Sequence, residues 1–183
     1  MSKLLTNTFI YIIFIFSFNN ANCQCILNFD SKQSVNKWKT INDDVMGGVS
    51  TSDIKYINND YAMFSGNVSL ENNGGFASIR RQLSGVNLYN KKSIVLKVKG
   101  DGKNYQLRIK KNRFDYYSYV YSFPTSGNWE SVSVELASMY PSFRGQRLDF
   151  SNFSAKQIQQ ISILIANNKE EQFNLIIDEI CIQ

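Results

Sequence analysis

Eight carboxylates stand where a general acid or base could be sought: Asp43, Asp44, Glu71, Asp115, Glu130, Asp149, Asp178 and Glu179. Hydrolysis of a glycosidic bond needs only two such groups facing one another across about 5–9.5 Å, but no spacing here brings a pair to one cleft. The chain has no histidine, which removes imidazole-dependent triads, histidine bases and most catalytic zinc sites. Gly47-Gly48 and Gly74-Gly75 lack the Lys-Ser/Thr and the longer glycine spacing of phosphate-binding loops. Asp30 with Asp178 or Glu179 could offer oxygen ligands to a structural calcium ion, yet no calcium-loop spacing accompanies them. The expectation is therefore a non-enzyme, with no catalytic residue, no cofactor and no metal.

Binding chemistry remains. Arg80, Arg108 and Arg144 could grip carboxylate or hydroxyl groups bidentately, with Arg108 the first choice. Tyr117, Tyr119 and Tyr121 alternate and so share one strand face, which is either an aromatic platform or a packed sheet face; Tyr119 is the candidate taken from it. Asn72-Asn73-Gly74-Gly75 reads as a hairpin turn, and the Phe76 after it could lie on an open surface. The densest cluster is Asn42-Asp43-Asp44-Val45-Met46-Gly47-Gly48-Val49-Ser50 with Trp38 ahead of it. Asp side chains there accept hydrogen bonds from amides two residues on, and the glycines allow positive φ or close backbone approach. Two readings stay open. In one, Trp38, Asn42, Asp43, Gly47 and Gly48, with Gly74 and Gly75, form a rigid corner. In the other, Asp44, Met46 and Ser50 are exposed on its rim and meet a ligand or partner.

The elements that must position these groups are strands. Period-two alternation with β-branched and aromatic residues recurs throughout, broken by Gly, Asn, Asp and Ser clusters. It is plainest over Ile94–Lys99, Gln106–Lys110 and Ser131–Leu136, where one face meets a core and the other water. Gly100-Asp101-Gly102-Lys103 reads as a hairpin connection. The one expected helical turn spans Ser154 to Gln160, with Ser154 as N-cap. At 183 residues, with 43% of them hydrophobic, the chain suits one all-β domain, a jelly-roll β-sandwich.

Before that domain, Lys3, an apolar run from Phe9 to Phe18 and the small residues Ala21 and Cys23 read as a cleaved secretory signal over residues 1–24. The run is half the roughly 20 residues a membrane span needs, and no later segment could cross a bilayer. The domain would then be residues 25–183, secreted or periplasmic and monomeric. The signal carries one of the 20 Lys and Arg residues and none of the 15 acids, leaving +4. Basic residues are scattered in ones and twos, so nucleic acid is not an expected partner. Cys25 in the first strand and Cys181 in the last would be neighbours if those strands pair, and an oxidising compartment would allow a disulfide.

Asn42–Ser50 with its preceding tryptophan, Phe64 to Arg80 (FSGNVSLENNGGFASIR) and Pro141-Ser142-Phe143-Arg144-Gly145 together resemble the complex I intermediate-associated protein 30 family. The likeness is ordered and runs from Phe29 to Ile180. It implies a galactose-binding-like jelly roll, similar to carbohydrate-binding modules, in a family whose eukaryotic members are non-catalytic chaperones for respiratory complex I assembly. The apolar leader is instead that of an exported bacterial relative. The expected function is a protein-binding assembly or chaperone-like factor outside the cytoplasm, with carbohydrate binding as the alternative, and the partner a protein or a glycan.

Overall fold

The computed structural model describes residues 23–183; the expected signal lies almost wholly outside the described residues. In chain order the elements are β1 (Gln24–Asn28), a one-turn helix α1 (Lys32–Val35), β2 (Lys39–Thr40), β3 (Thr51–Ile57), β4 (Tyr61–Val68), β5 (Ala77–Asn87) and β6 (Ser93–Lys99). They continue with β7 (Asn104–Lys110), β8 (Ser118–Pro124), β9 (Trp129–Glu135), β10 (Tyr140–Phe143), β11 (Gln146–Arg147), β12 (Gln157–Ile165) and β13 (Glu171–Ile182). They form two antiparallel sheets packed face to face as a jelly roll. One runs β3-β4-β13-β6-β9, with β1 also on β13, and the other runs β11-β10-β8-β7-β12-β5-β2.

Alternation decides which side chains meet between the sheets. Ile94, Leu96 and Val98 of β6 face Tyr105, Leu107 and Ile109 of β7 across a core that also holds Phe64, Phe123, Ile163 and Ile177. Trp38 is buried against Phe29, ring centroids 5.7 Å apart. β13 is central to its sheet. Glu171–Ile177 pair with β4, Glu179–Ile182 pair with β1, and β6 lies along the other side. That register puts Cys25 opposite Cys181, and the two sulfurs are bonded at 2.12 Å.

Three local expectations are corrected. The stretch Ser154–Gln160 is not helical: Gln157 already begins β12, which is hydrogen-bonded to β5 on one side and β7 on the other. Two ladders and the burial of Ile158, Ile161, Ile163 and Ile165 outweigh the mild helix preference of Ala-Lys-Gln. The helix that does form, α1, is capped at Ser31, whose hydroxyl accepts from the Ser34 amide. Neither Gly100–Lys103 nor Asn72–Gly75 closes a hairpin, because the strands on either side of each belong to opposite sheets. These are crossings, and turn residues look the same in both settings. The first is tied by Asp101, which accepts from Lys103 Nζ at 2.7 Å, Tyr105 Oη at 3.0 Å and the Asn174 amide at 2.9 Å.

Candidate functional site

The Asn42–Ser50 segment is built around one carboxylate. Asp43 is 1% exposed at the start of a single 3-10 turn, Asp43–Met46. Its Oδ1 accepts the Ser50 amide at 2.9 Å, and its Oδ2 accepts the Ser50 hydroxyl at 2.5 Å, the Gly75 amide at 2.6 Å and the Phe76 amide at 3.2 Å. Burial pushes the Asp43 pKa up, but the four hydrogen bonds, led by the Ser50 hydroxyl, outweigh it and hold the carboxyl below its ordinary value. The Ser50 hydroxyl in turn accepts the Ser69 amide at 2.9 Å. Both glycine motifs are shaped by this group. A Cβ on Gly48 would stand 2.4 Å from Asp43 Cγ, and one on Gly74 would stand 2.6 Å from its Oδ2. Gly47, at φ 91°, closes the turn in the left-handed region. The two motifs therefore meet as one staple joining the β2–β3 and β4–β5 connections.

The expected rim changes accordingly. Ser50 is 3% exposed and faces inward, because its hydroxyl is needed by Asp43, so it is not a rim residue. Asp44 and Met46 are exposed, with Val45 and Val49 beside them. Asn42 accepts the Ser52 hydroxyl at 2.6 Å. Phe76 is half-buried, with its amide committed to Asp43.

A different surface gathers donors. Register across the seven-stranded sheet lines up Lys39, Arg80, Ser162, Arg108, Val120 and Tyr140 on six successive strands, all on the outer face. Five strand spacings make this row about 24 Å long. A parallel row carries Gln82, Gln160 and Lys110, and Ser118, Ser142 and Arg147 extend it. Gln160, Ser162 and Ser142 are buried as its floor between longer side chains, and none has a side-chain hydrogen-bond partner among the described residues.

The guanidinium of Arg108 donates twice to Gln106 Oε1, at 3.0 and 2.7 Å. Arg80 Nε is buried with no partner among the described residues. Burial lowers the pKa of both arginines, and Lys110 is lowered by burial and then by Arg80, against a raising effect of Asp115. Lys110 Nζ donates to the Asp115 carbonyl at 2.5 Å. Arg147 lies over the Tyr140 ring, 4.9 Å from its centroid. Exposed aromatics border this end of the sheet: Tyr116 packs edge-on to Phe143 at 5.3 Å, and Phe114 and Phe150 stand nearby in sequence and in the open.

Tyr119 does not belong to this surface. It pairs with Ile109, so it points to the core side, is 6% exposed and packs edge-on to Phe153. Burial, then the hydrogen bond to Tyr117, pushes its pKa up to about 12. Arg144 sits in the tight β10–β11 turn at φ 49°, its guanidinium over Phe143. Of the expected residues, Arg80 and Arg108 lie on the polar face. No hydrogen bond or ion pair among the described residues joins it to Asp43 or Ser50. Lys39, Lys110, Gln160, Ser162 and Tyr140 were legible only once register was known, although Gln160-Ile161-Ser162-Ile163 already alternates.

A third cluster, Asp30, Asp60, Asp178 and Glu179, lines a cavity of about 350 Å³ at the β1–β13 end. Asp178 is paired with Lys97 at 2.7 Å. Among the described residues the only three metal-type ligand atoms within reach of one another are Cys25, Glu179 and Cys181, and the two sulfurs are bonded to each other.

Two antiparallel sheets with a long polar outer face define a jelly-roll sandwich of the kind used by carbohydrate-binding modules. The chain belongs to the complex I intermediate-associated protein 30 family, whose model matches residues 27–177. No curated protein matches the sequence. Among solved structures it is similar to a family 11 carbohydrate-binding module from Clostridium thermocellum in complex with a β-1,3-1,4-mixed-linked tetrasaccharide. The two are 16% identical with a TM-score of 0.63, over 87% of this chain and 94% of that one. The family 11 module of a cellulosomal cellulase of the same organism is 18% identical at TM-score 0.63, over 87% and 93%. An agarase is 11% identical at TM-score 0.58, over 88% of this chain and 24% of the agarase. At these identities the likeness is one of fold.

Proposed function

We propose that this protein is a non-catalytic binding module whose ligand is a glycan, held along the outer face of the seven-stranded sheet. One observation carries this reading: two adjacent rows of polar side chains cross the outer face, with Ser142, Gln160 and Ser162 low between them and Arg80 Nε buried without a partner among the described residues. A buried donor such as Arg80 Nε is costly to leave unpaired, and a hydroxyl-rich ligand satisfies donors and acceptors alike. Tyr140 and the Tyr116 border add the apolar faces on which sugar rings stack. The fold neighbours that bind saccharides agree with this use of a jelly roll, although fold does not fix function. The disulfide suits an oxidising compartment, which supports action outside the cytoplasm. A glycan array tests the reading. Specific binding that Arg108→Ala and Tyr140→Ala both abolish, with unchanged thermal unfolding, supports it; no binding to any glycan overturns it.

The second reading is an assembly or chaperone-like factor that binds protein, as the family name suggests. The specific observation in its favour is the exposed apolar tip of the Asp43 corner, where Val45 and Met46 are 66% and 55% exposed. A folded Met46→Asp variant that still captures the same stoichiometric protein partner as the parent overturns it.

A further inference from the structure

We propose that the ligand of this face is an acidic glycan, its carboxylate or sulfate groups seated on Arg80 and Arg108. This rests on the glycan reading above and narrows it. Arg80 and Arg108 flank Ser162 from opposite sides, one strand away each, so their backbones stand roughly 10 Å apart. Lys39 continues the row beyond Arg80, and Lys110 lies beside it, near enough that Arg80 lowers its pKa. The two rows that form the floor contain five cations, Lys39, Arg80, Arg108, Lys110 and Arg147, and no carboxylate. Asp115 borders them, but it meets Lys110 through its backbone carbonyl.

A sheet face that brings like charges together, partly buries them and leaves the buried Arg80 Nε without a partner among the described residues is unfavourable in the free protein. A neutral sugar supplies hydroxyls to this surface but leaves the charge uncompensated. A carboxylate or sulfate supplies both acceptors and charge, and guanidinium binds it through two parallel N–H donors. The buried serine and glutamine floor then reads the sugar hydroxyls, which a simple phosphate chain would leave unused. Net charge of the whole chain is only +5, so the attraction is local to this face.

The test measures binding of the purified chain by calorimetry to polygalacturonate, alginate and chondroitin sulfate. Controls are fully methyl-esterified polygalacturonate, neutral mixed-linked β-glucan, poly-glutamate and single-stranded DNA. The expected result is binding to at least one acidic glycan, weakened about tenfold or more by Arg80→Gln and by Arg108→Gln. The salt dependence should flatten in each variant. Arg80→Lys, which keeps charge but loses the paired donors, should also weaken binding. Both glutamine variants should melt no lower than the parent, since each removes a partly buried charge. Binding to neutral β-glucan alone, undiminished in these variants, overturns the acidic inference and leaves the glycan reading standing. Binding to no glycan overturns both. Equal binding to poly-glutamate or DNA and to the acidic glycans overturns the inference as undirected charge attraction.

Discussion

Replacing Asp43 by asparagine changes almost no volume, so any loss of stability measures hydrogen bonding and charge. The carboxylate holds three amides and one hydroxyl, from Ser50, Gly75 and Phe76. An asparagine presents one oxygen and one NH2, so whichever way it turns, the NH2 faces an N–H donor. With Oδ1 replaced, the Ser50 amide is orphaned; with Oδ2 replaced, the Gly75 and Phe76 amides are. Each buried orphan costs about 1–3 kcal/mol, and a lost hydrogen bond to a charged acceptor about 1.5–3 kcal/mol. Since the bonds share one acceptor and do not add independently, the expected loss is about 3–5 kcal/mol, a large part of a typical domain's stability. Urea unfolding followed by tryptophan fluorescence reads this as a lower midpoint at unchanged slope. Asp44→Asn, one residue on and exposed, should stay within about 0.5 kcal/mol. A loss below about 1 kcal/mol in Asp43→Asn would refute the staple. The pH dependence has a definite sign. The Asp43 pKa is depressed by folding, so its contribution is complete above the ordinary value of 3.8 and fades as pH falls through the lower folded value. The gap between parent and Asp43→Asn should therefore narrow only in strong acid.

Gly48→Ala should destabilise about as much as a core substitution, because its methyl group would meet Asp43 Cγ at 2.4 Å; Gly102→Ala, with open space around it, should lose only the strain of positive φ. Thermal melts of the two variants check the order. Reducing the Cys25–Cys181 bond, which closes a separation of 156 residues, should lower stability by up to about 5 kcal/mol. The Cys25→Ala/Cys181→Ala double variant should then be indifferent to reductant. Gly100→Ala should also destabilise, since a Cβ there would stand 2.2 Å from Thr125 Oγ1. A melt within a degree of the parent would contradict that packing.

Much of the fold was legible in sequence because strand alternation is a local signal with a global meaning. Ile94-Val95-Leu96-Lys97-Val98-Lys99 declares its buried face without knowledge of its partner. What sequence could not supply was sheet membership. Gly100–Lys103 and Asn72–Gly75 carry turn chemistry that serves a hairpin or a crossing equally well, and only distant strands decide. The site shows the same divide. The Asn42–Ser50 motif left a rigid corner and a ligand-facing rim both open; Ser50 turns inward because its hydroxyl bonds Asp43 and accepts the amide of Ser69, 19 residues on. Arg80, Ser162 and Arg108 form a surface only through the pairing of β5, β12 and β7. The Tyr119 side chain was on a legible face, yet whether that face was core or solvent depended on its pairing with Ile109.

The position of β13 also bears on how the six-stranded sheet assembles. β1, β4 and β6 all pair with Glu171–Ile182, so without those residues the β3–β4 and β6–β9 pairs share no ladder. β4 and β6 each keep an unpaired edge until β13 docks, and the Cys25–Cys181 contact spans 156 residues. Folding of this kind is slow and exposes edges that invite wrong pairing. A truncation that removes Glu171–Ile182 should therefore leave β4 and β6 with open edges and yield no stable sandwich.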